Sequence, residues 1–232
     1  MGAPEGAGRE LDATAGLARV RQRISDAGGD PDAVQVVAVT KGFGPEAVRA
    51  AAEAGLVDVG ENYAQELLAK DEALRAGILG APSVKWHFLG AIQRNKVARL
   101  APVVWCWQSI ARAAEGEAIA RRRPGAGVLV EVDATDVPER NGCAPHDVPA
   151  LVAALRTADL DVRGLMTVGP RRPADARRAF RLVRSLADDL GLEVRSMGMS
   201  DDLELAVAEG STMVRVGRAL FGERPRRRVT AT

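Results

Sequence analysis

The chain is short of the side chains from which metal and redox sites are built. It holds two cysteines, Cys106 and Cys143, and two histidines, His87 and His146. The cysteines are far apart and show no metal-ligand spacing, so reduced thiols in a cytoplasmic protein are expected. Two histidines are too few for a multi-histidine metal site. No apolar run approaches the roughly 18 residues that a membrane helix needs. The N-terminus, MGAPEGAGRE, lacks the basic and apolar regions of a signal peptide. An excess of either charge is also missing: 32 Lys and Arg face 31 Asp and Glu. Such a balance gives no reason to expect a nucleic acid or an anionic membrane as partner.

What is present is a rhythm. Residues 1–9 are rich in Gly, Ala and Pro and read as a disordered tail. A helix is expected over 10–26, carried by Leu11, Leu17, Val20 and Ile24 and stopped by Gly28-Gly29. Strands are then expected over 34–40, 56–59, 84–89, 103–108, 127–133, 162–168, 193–197 and 213–216. Helices are expected over 45–54, 62–75, 93–100, 110–122, 145–157, 173–190 and 201–208, with a short turn at 219–221. Strand-helix alternation implies parallel strands with crossover helices. Eight units favour a closed (β/α)8 TIM barrel over an open doubly wound sheet, in one domain spanning 10–223 with an extra N-terminal helix. The end, 224–232, reads as a solvated basic tail.

In such a barrel chemistry gathers at the C-terminal ends of the strands. The first expected strand ends in Thr40 and Lys41. A lysine there, with apolar walls, is partly desolvated, which lowers its pKa and frees the amine to attack a carbonyl. A plain loop lysine is the alternative. In SMGMSDDLELAV, 196–207, Gly198 allows close backbone approach and the start of a helix offers unpaired N–H groups, an arrangement suited to phosphate. Asp201 with Glu204 fits a capping box, or Ser200 is the cap; a capped helix with no ligand reads equally well. In VRVGRALFG, 214–222, Arg215 ends the eighth strand and Gly217 follows, at the place where barrels carry phosphate sites. Arg215 reads as an anion or ring-nitrogen partner, or as a structural ion pair. His87 reads as a hydrogen-bonded core residue. Lys85, His87 and Leu89 share one strand face and Trp86 and Phe88 the other, while Trp105 and Trp107 read as wall packing. One amine, one arginine and a phosphate seat suit an aldehyde that carries a phosphate: pyridoxal 5′-phosphate, or a sugar phosphate in a Schiff-base aldolase.

The stretches VAVTKG (37–42), GENYAQEL (60–67), KWHFLGAIQRNK (85–96), GLMTV (164–168) and SMGMSDDLELAVAEGSTMVRVGRALFG (196–222) resemble the pyridoxal phosphate homeostasis (YggS/PROSC) proteins. The likeness runs from about Leu17 to Phe221. It implies a single barrel of the alanine racemase N-terminal domain type that binds pyridoxal 5′-phosphate. Within that resemblance Lys41 matches the Schiff-base lysine and Ser200 a phosphate-contacting serine. Arg215 and Gly217 match a segment that approaches the ring nitrogen and the phosphate. Met199 and Val216 match backbone contacts, and Asn62 lines the pocket. The chain departs from the pattern at Gly42, where many members have Thr, and at Phe43, where many have a second lysine. DATDVPERNG (133–142) keeps Gly142 and places Arg140 where a lysine is usual.

The resemblance leaves carrier and enzyme to be separated. An arginine at the ring nitrogen cannot take its proton, which leaves a weak electron sink. Racemisation also needs a second base, which in a racemase is a tyrosine from an added domain. This chain has one tyrosine, Tyr63. A monomeric, non-catalytic carrier is therefore expected, holding the cofactor as a lysine aldimine and supplying apo-enzymes. A small cofactor-dependent racemase is the alternative.

Overall fold

The computed structural model describes residues 11–77, 84–135 and 140–224. The tail expected at 1–9 and positions 225–232 of the basic end lie outside the described residues. Eight parallel strands close in sequence order into a barrel: β1 (Gln35–Val39), β2 (Asp58–Glu61), β3 (Lys85–Phe88), β4 (Val104–Ile110), β5 (Gly127–Glu131), β6 (Asp161–Met166), β7 (Val194–Ser196) and β8 (Met213–Val216). Closure is direct. β1 pairs with β8 through Gln35↔Met213 to Ala38↔Val216, so neither strand is left as an edge. The (β/α)8 barrel expected from the alternation is what forms.

The helices are α1 (Ala13–Asp26), α2 (Glu46–Glu53), α3 (Ala64–Arg75), α4 (Arg94–Leu100), α5 (Ala113–Ala120), α6 (Val148–Thr157), α7 (Pro173–Asp189), α8 (Leu203–Ala208) and α9 (Arg218–Phe221). α7 shows why they pack. Ala176, Ala179, Phe180, Val183 and Ala187 recur at helical spacing and are all buried. Full burial of one large apolar side chain such as Phe180 contributes about 1.5–3 kcal/mol. α1 lies outside the alternation and covers β1 and β8. Its Gly16 is packed so closely on α9 that a side chain there would stand 2.4 Å from the Leu220 carbonyl oxygen.

Alternation along each strand sorts the side chains. Even-numbered Val36, Ala38, Val214 and Val216 join the layer beneath α1 and α2, and Val59, Trp86, Phe88 and Trp107 join the layer beneath the other helices. Cys106, Leu129 and Met166 fill the barrel interior. Burial pushes the Cys106 thiol up to about 12, so it is inert. Trp107 packs in the wall as expected, but Trp105 does not. The β3–β4 register slips between Trp86 and His87, and the extra residue turns Trp105 onto the interior cluster, 5.3 Å from the His87 ring.

Among the boundaries that differ from the sequence reading, two have a cause visible in the structure. β2 runs two residues later than expected because Gly60 and Glu61 are in the sheet. Gly60 faces an interior so full that a Cβ would lie 2.7 Å from the Leu89 side chain. Ile110 ends β4 instead of opening a helix. α5 starts three residues on, where the Glu115 carboxylate accepts from the N–H groups of Ala111 at 2.8 Å and Arg112 at 3.1 Å.

Candidate functional site

The exit of β1 is a tight turn. Phe43 N–H donates to the Thr40 carbonyl at 3.0 Å. Gly42 has φ +76° while Lys41 keeps a negative φ, the pattern of a turn with glycine at its second corner. Lys41 is the first corner, on the same strand face as Val37 and Val39, and so stands at the barrel mouth. Phe43 tucks its ring against Phe221, with centroids 5.4 Å apart. Apolar packing occupies the place where the resemblance led us to expect a second lysine.

A buried ion pair holds this turn from behind. Lys70 on α3 donates to Glu61 at 2.6 Å and to the Thr40 carbonyl at 2.8 Å. Glu61 also accepts from the Thr40 hydroxyl at 3.2 Å and from Asn62 N–H at 2.8 Å. Glu66 accepts from Gly42 N–H at 2.9 Å. Lys70, Glu61 and Glu66 escaped the sequence reading, although GENYAQEL supplied two of them, because the partners come from three different elements.

Lys41 is half-buried. Burial holds its amine below the ordinary lysine value, helped by the charges of Arg224 and Arg215 and opposed by Glu61. Arg215 lies inside the barrel. Its Nη1 donates to the Ser196 carbonyl at 2.6 Å and the Ser196 hydroxyl at 2.8 Å, and its Nη2 to the Thr167 carbonyl at 2.8 Å. Burial draws the guanidinium down to about 10 against the charges of Asp202 and Glu131, so it stays a cation at neutral pH. Five N–H donors against three bonds leave Nε–H and one Nη2 proton without an acceptor among the described residues.

The exits of β7 and β8 meet. The Ser200 hydroxyl accepts from Ala219 N–H at 3.1 Å. Arg23 on α1 donates to the Ser200 carbonyl at 2.9 Å and grips Glu204 at 2.5 and 2.7 Å. This corrects the expected capping box: Glu204 turns to Arg23, and Asp202 is the residue preceding α8. Neither acidic side chain needs to face a bound anion. Asp201 pairs with Arg218, and Asp202 accepts from Met199 N–H at 2.6 Å. Gly217 sits against β1, where a Cβ would meet the Val39 carbonyl oxygen at 2.8 Å. Val216 pairs in register with Ala38, which leaves its backbone beside the Lys41 turn.

Asn62 stands apart, with no hydrogen bond to Lys41 or Arg215. Its side chain lines a cavity of about 130 Å³ with Tyr63, Phe88, Gln93 and Lys96. Its Oδ1 is buried without a hydrogen-bond partner among the described residues. Unsatisfied acceptors of this kind are rare in proteins and point to a missing donor. His87 is the buried, bonded core residue that the sequence suggested.

A depressed amine, a fixed cation with spare donors and two convergent loops fit a phosphorylated aldehyde, while the Asn62 amide lines a separate cavity. Comparison with known proteins agrees. Residues 15–225 match the family model of the alanine racemase N-terminal domain. The pyridoxal phosphate homeostasis protein of Pseudomonas aeruginosa is 41% identical over 217 residues, covering 89% of this chain and 92% of that protein. That of Deinococcus radiodurans is 39% identical over 220 residues, covering 88% and 97%. The structure of PipY from Synechococcus elongatus with pyridoxal phosphate bound matches with a TM-score of 0.74 at 32% identity, covering 88% of this chain and all of that one. The chain therefore belongs to the alanine racemase N-terminal domain family and, within it, to the pyridoxal phosphate homeostasis proteins.

Proposed function

We propose that this protein binds pyridoxal 5′-phosphate at the barrel mouth, keeps it reversibly on Lys41, and releases it to apo-enzymes. The observation that carries the reading is Lys41 itself: an amine with a lowered pKa, on the corner of a turn clamped by Lys70 and Glu61, beside a fixed arginine. The pyridoxal phosphate in the PipY structure and the names of the relatives support it. The cofactor supplies an aldehyde that a neutral amine captures. Lys41 Nζ would be the amine presented to that aldehyde, and the cofactor would supply reversible carbonyl chemistry there. Ser200 and the backbone of Met199 and Gly217 receive the phosphate. The Met199 N–H takes part only if it leaves Asp202. Arg215 donates to the ring nitrogen, and Asn62 and Val216 line the pocket. A second amine reverses the capture, which is how a carrier gives up its load.

A carrier is preferred over a racemase on the chemistry of the site. Arg215 can only donate, so it does not stabilise a protonated ring. Tyr63, the chain's single tyrosine, is 58% exposed. The test is the visible absorbance of the protein after cofactor is added. Wild type gains a band that borohydride removes, and Lys41→Ala gains none. No band in wild type overturns the assignment. Transfer to an apo-enzyme in one-to-one amount, with no solvent deuterium entering alanine, is the expected behaviour of a carrier. Sustained deuterium exchange supports a racemase instead.

A further inference from the structure

A line of hydrogen bonds runs through the barrel from Arg215 to its floor. The Ser196 hydroxyl donates to Gln108 Oε1 at 2.7 Å, Gln108 Nε2 meets His87 Nδ1 at 2.7 Å, and His87 Nε2 meets Asp58 Oδ1 at 2.9 Å. Ser196, Gln108 and His87 are all fully buried. The directions of these bonds are fixed from the Arg215 end. A guanidinium only donates, so the Ser196 oxygen accepts from it and spends its one proton on Gln108 Oε1. That sets the amide with its nitrogen toward His87. An amide nitrogen only donates, so His87 Nδ1 is bare and the ring proton is on Nε2, aimed at Asp58. Every donor in the line points from a cation to an anion.

The far end is held as firmly. Burial alone raises Asp58, but hydrogen bonds from His87 and Gln35 and the charge of Lys85 bring it below its ordinary value, so it is an anion. A line of polar groups through an otherwise apolar interior is costly unless each member is satisfied. Here the side-chain bonds of Ser196 and Gln108 run along the line, apart from a 3.2 Å contact between Gln108 Nε2 and the Met213 sulfur.

We propose that Ser196, Gln108 and His87 are positioning residues, a one-way relay that orients Arg215 toward the bound ring and couples the mouth of the barrel to the His87–Asp58 pair on its floor. This rests on the reading of Arg215 as the partner of the ring nitrogen. When an acceptor engages Arg215 from above, its bonds to Ser196 readjust, and the change travels to His87 through aligned dipoles. A chain of bonds that served folding alone has no such response.

The test is ring ¹⁵N NMR of histidine-labelled protein, whose two histidines give two sets of signals. His146 is an exposed internal control. In unloaded wild type, His87 shows a bare Nδ1 and a protonated Nε2. Adding pyridoxal phosphate shifts the His87 signals and leaves those of His146 in place. Ser196→Ala still forms the visible band, with affinity reduced several-fold, but loses the His87 response. Ser196→Thr, which restores the hydroxyl, restores the response. Equal His87 shifts in wild type and Ser196→Ala overturn the relay, as does a loaded wild type with no shift at all. If wild type forms no visible band, the functional reading has failed, and the unloaded proteins decide the relay. There, Ser196→Ala must change the His87 ring pattern by releasing Gln108, and an unchanged pattern sinks the proposal.

Discussion

Two glycines at the mouth are there for different physical reasons, and each makes a prediction. Gly42 adopts a left-handed φ of +76°, so any other residue strains the turn that aims Lys41. Gly42→Thr, which installs the residue that the sequence resemblance led us to expect there, is expected to lower stability by about 1–3 kcal/mol and to slow cofactor capture. A denaturant titration and the rise of the visible band measure the two effects. Gly90 has another cause. A Cβ there would stand 1.9 Å from the Asn62 carbonyl oxygen. Gly90→Ala must therefore push the β2 and β3 exits apart, and overpacking of this kind costs about 1–3 kcal/mol. The place of Lys41 at the barrel mouth was legible in the sequence because it follows the C-terminal end of an apolar strand. The strain at Gly42 was not, since the glycine looked like a mere departure from a familiar motif.

At the scale of elements, the clamp of α3 on β1 and β2 is the feature that ordinary pattern reading misses. A helix was expected over 62–75, yet Lys70 looks like a surface residue until β1 and β2 close over it, leaving its side chain 4% exposed and that of Glu61 fully buried. Removing one partner leaves the other charge buried and unpaired. Lys70→Met is expected to lose about 3–5 kcal/mol, and the double variant Lys70→Met/Glu61→Leu to lose less than the sum of the two singles. Urea unfolding of the four proteins completes the cycle, and additive losses would show that the pair is not coupled. The same limit explains the displaced boundaries. Glu204 has the spacing of a cap, but Arg23 arrives from α1 and takes it, and no local pattern announces a partner 181 positions away.

For the whole molecule, eight alternating units were enough to read the barrel, because parallel strands without a free edge satisfy all their backbone groups. The interior was less legible. Ser196, Gln108 and His87 sit on three strands, and only closure lines them up. Closure also sets the charge around Lys41. Arg215 comes from the last strand and Arg224 from the segment beyond α9, yet both lower the amine's pKa, after burial. In the window between its folded value and the ordinary 10.5, Lys41 binds fewer protons folded than unfolded, so stability attributable to it rises with pH there. Asp202 and Glu131 run the other way. Burial raises both, so their share of stability falls as pH climbs above the ordinary carboxylate range. Capture of the cofactor needs neutral Lys41, and its rate is expected to reach half-maximum below the ordinary lysine value. Arg224 is exposed, so its part of the shift is screened by salt while the part due to burial is not. Arg224→Ala is therefore expected to move the half-maximum upward at low ionic strength, and the gap between it and wild type to close as salt is added. Stopped-flow absorbance across pH at two salt concentrations reads this directly. A gap that persists at high salt would mean that Arg224 acts on Lys41 by packing over Gly42, where its side chain lies 3.1 Å from the point a Cβ would occupy, and not by charge.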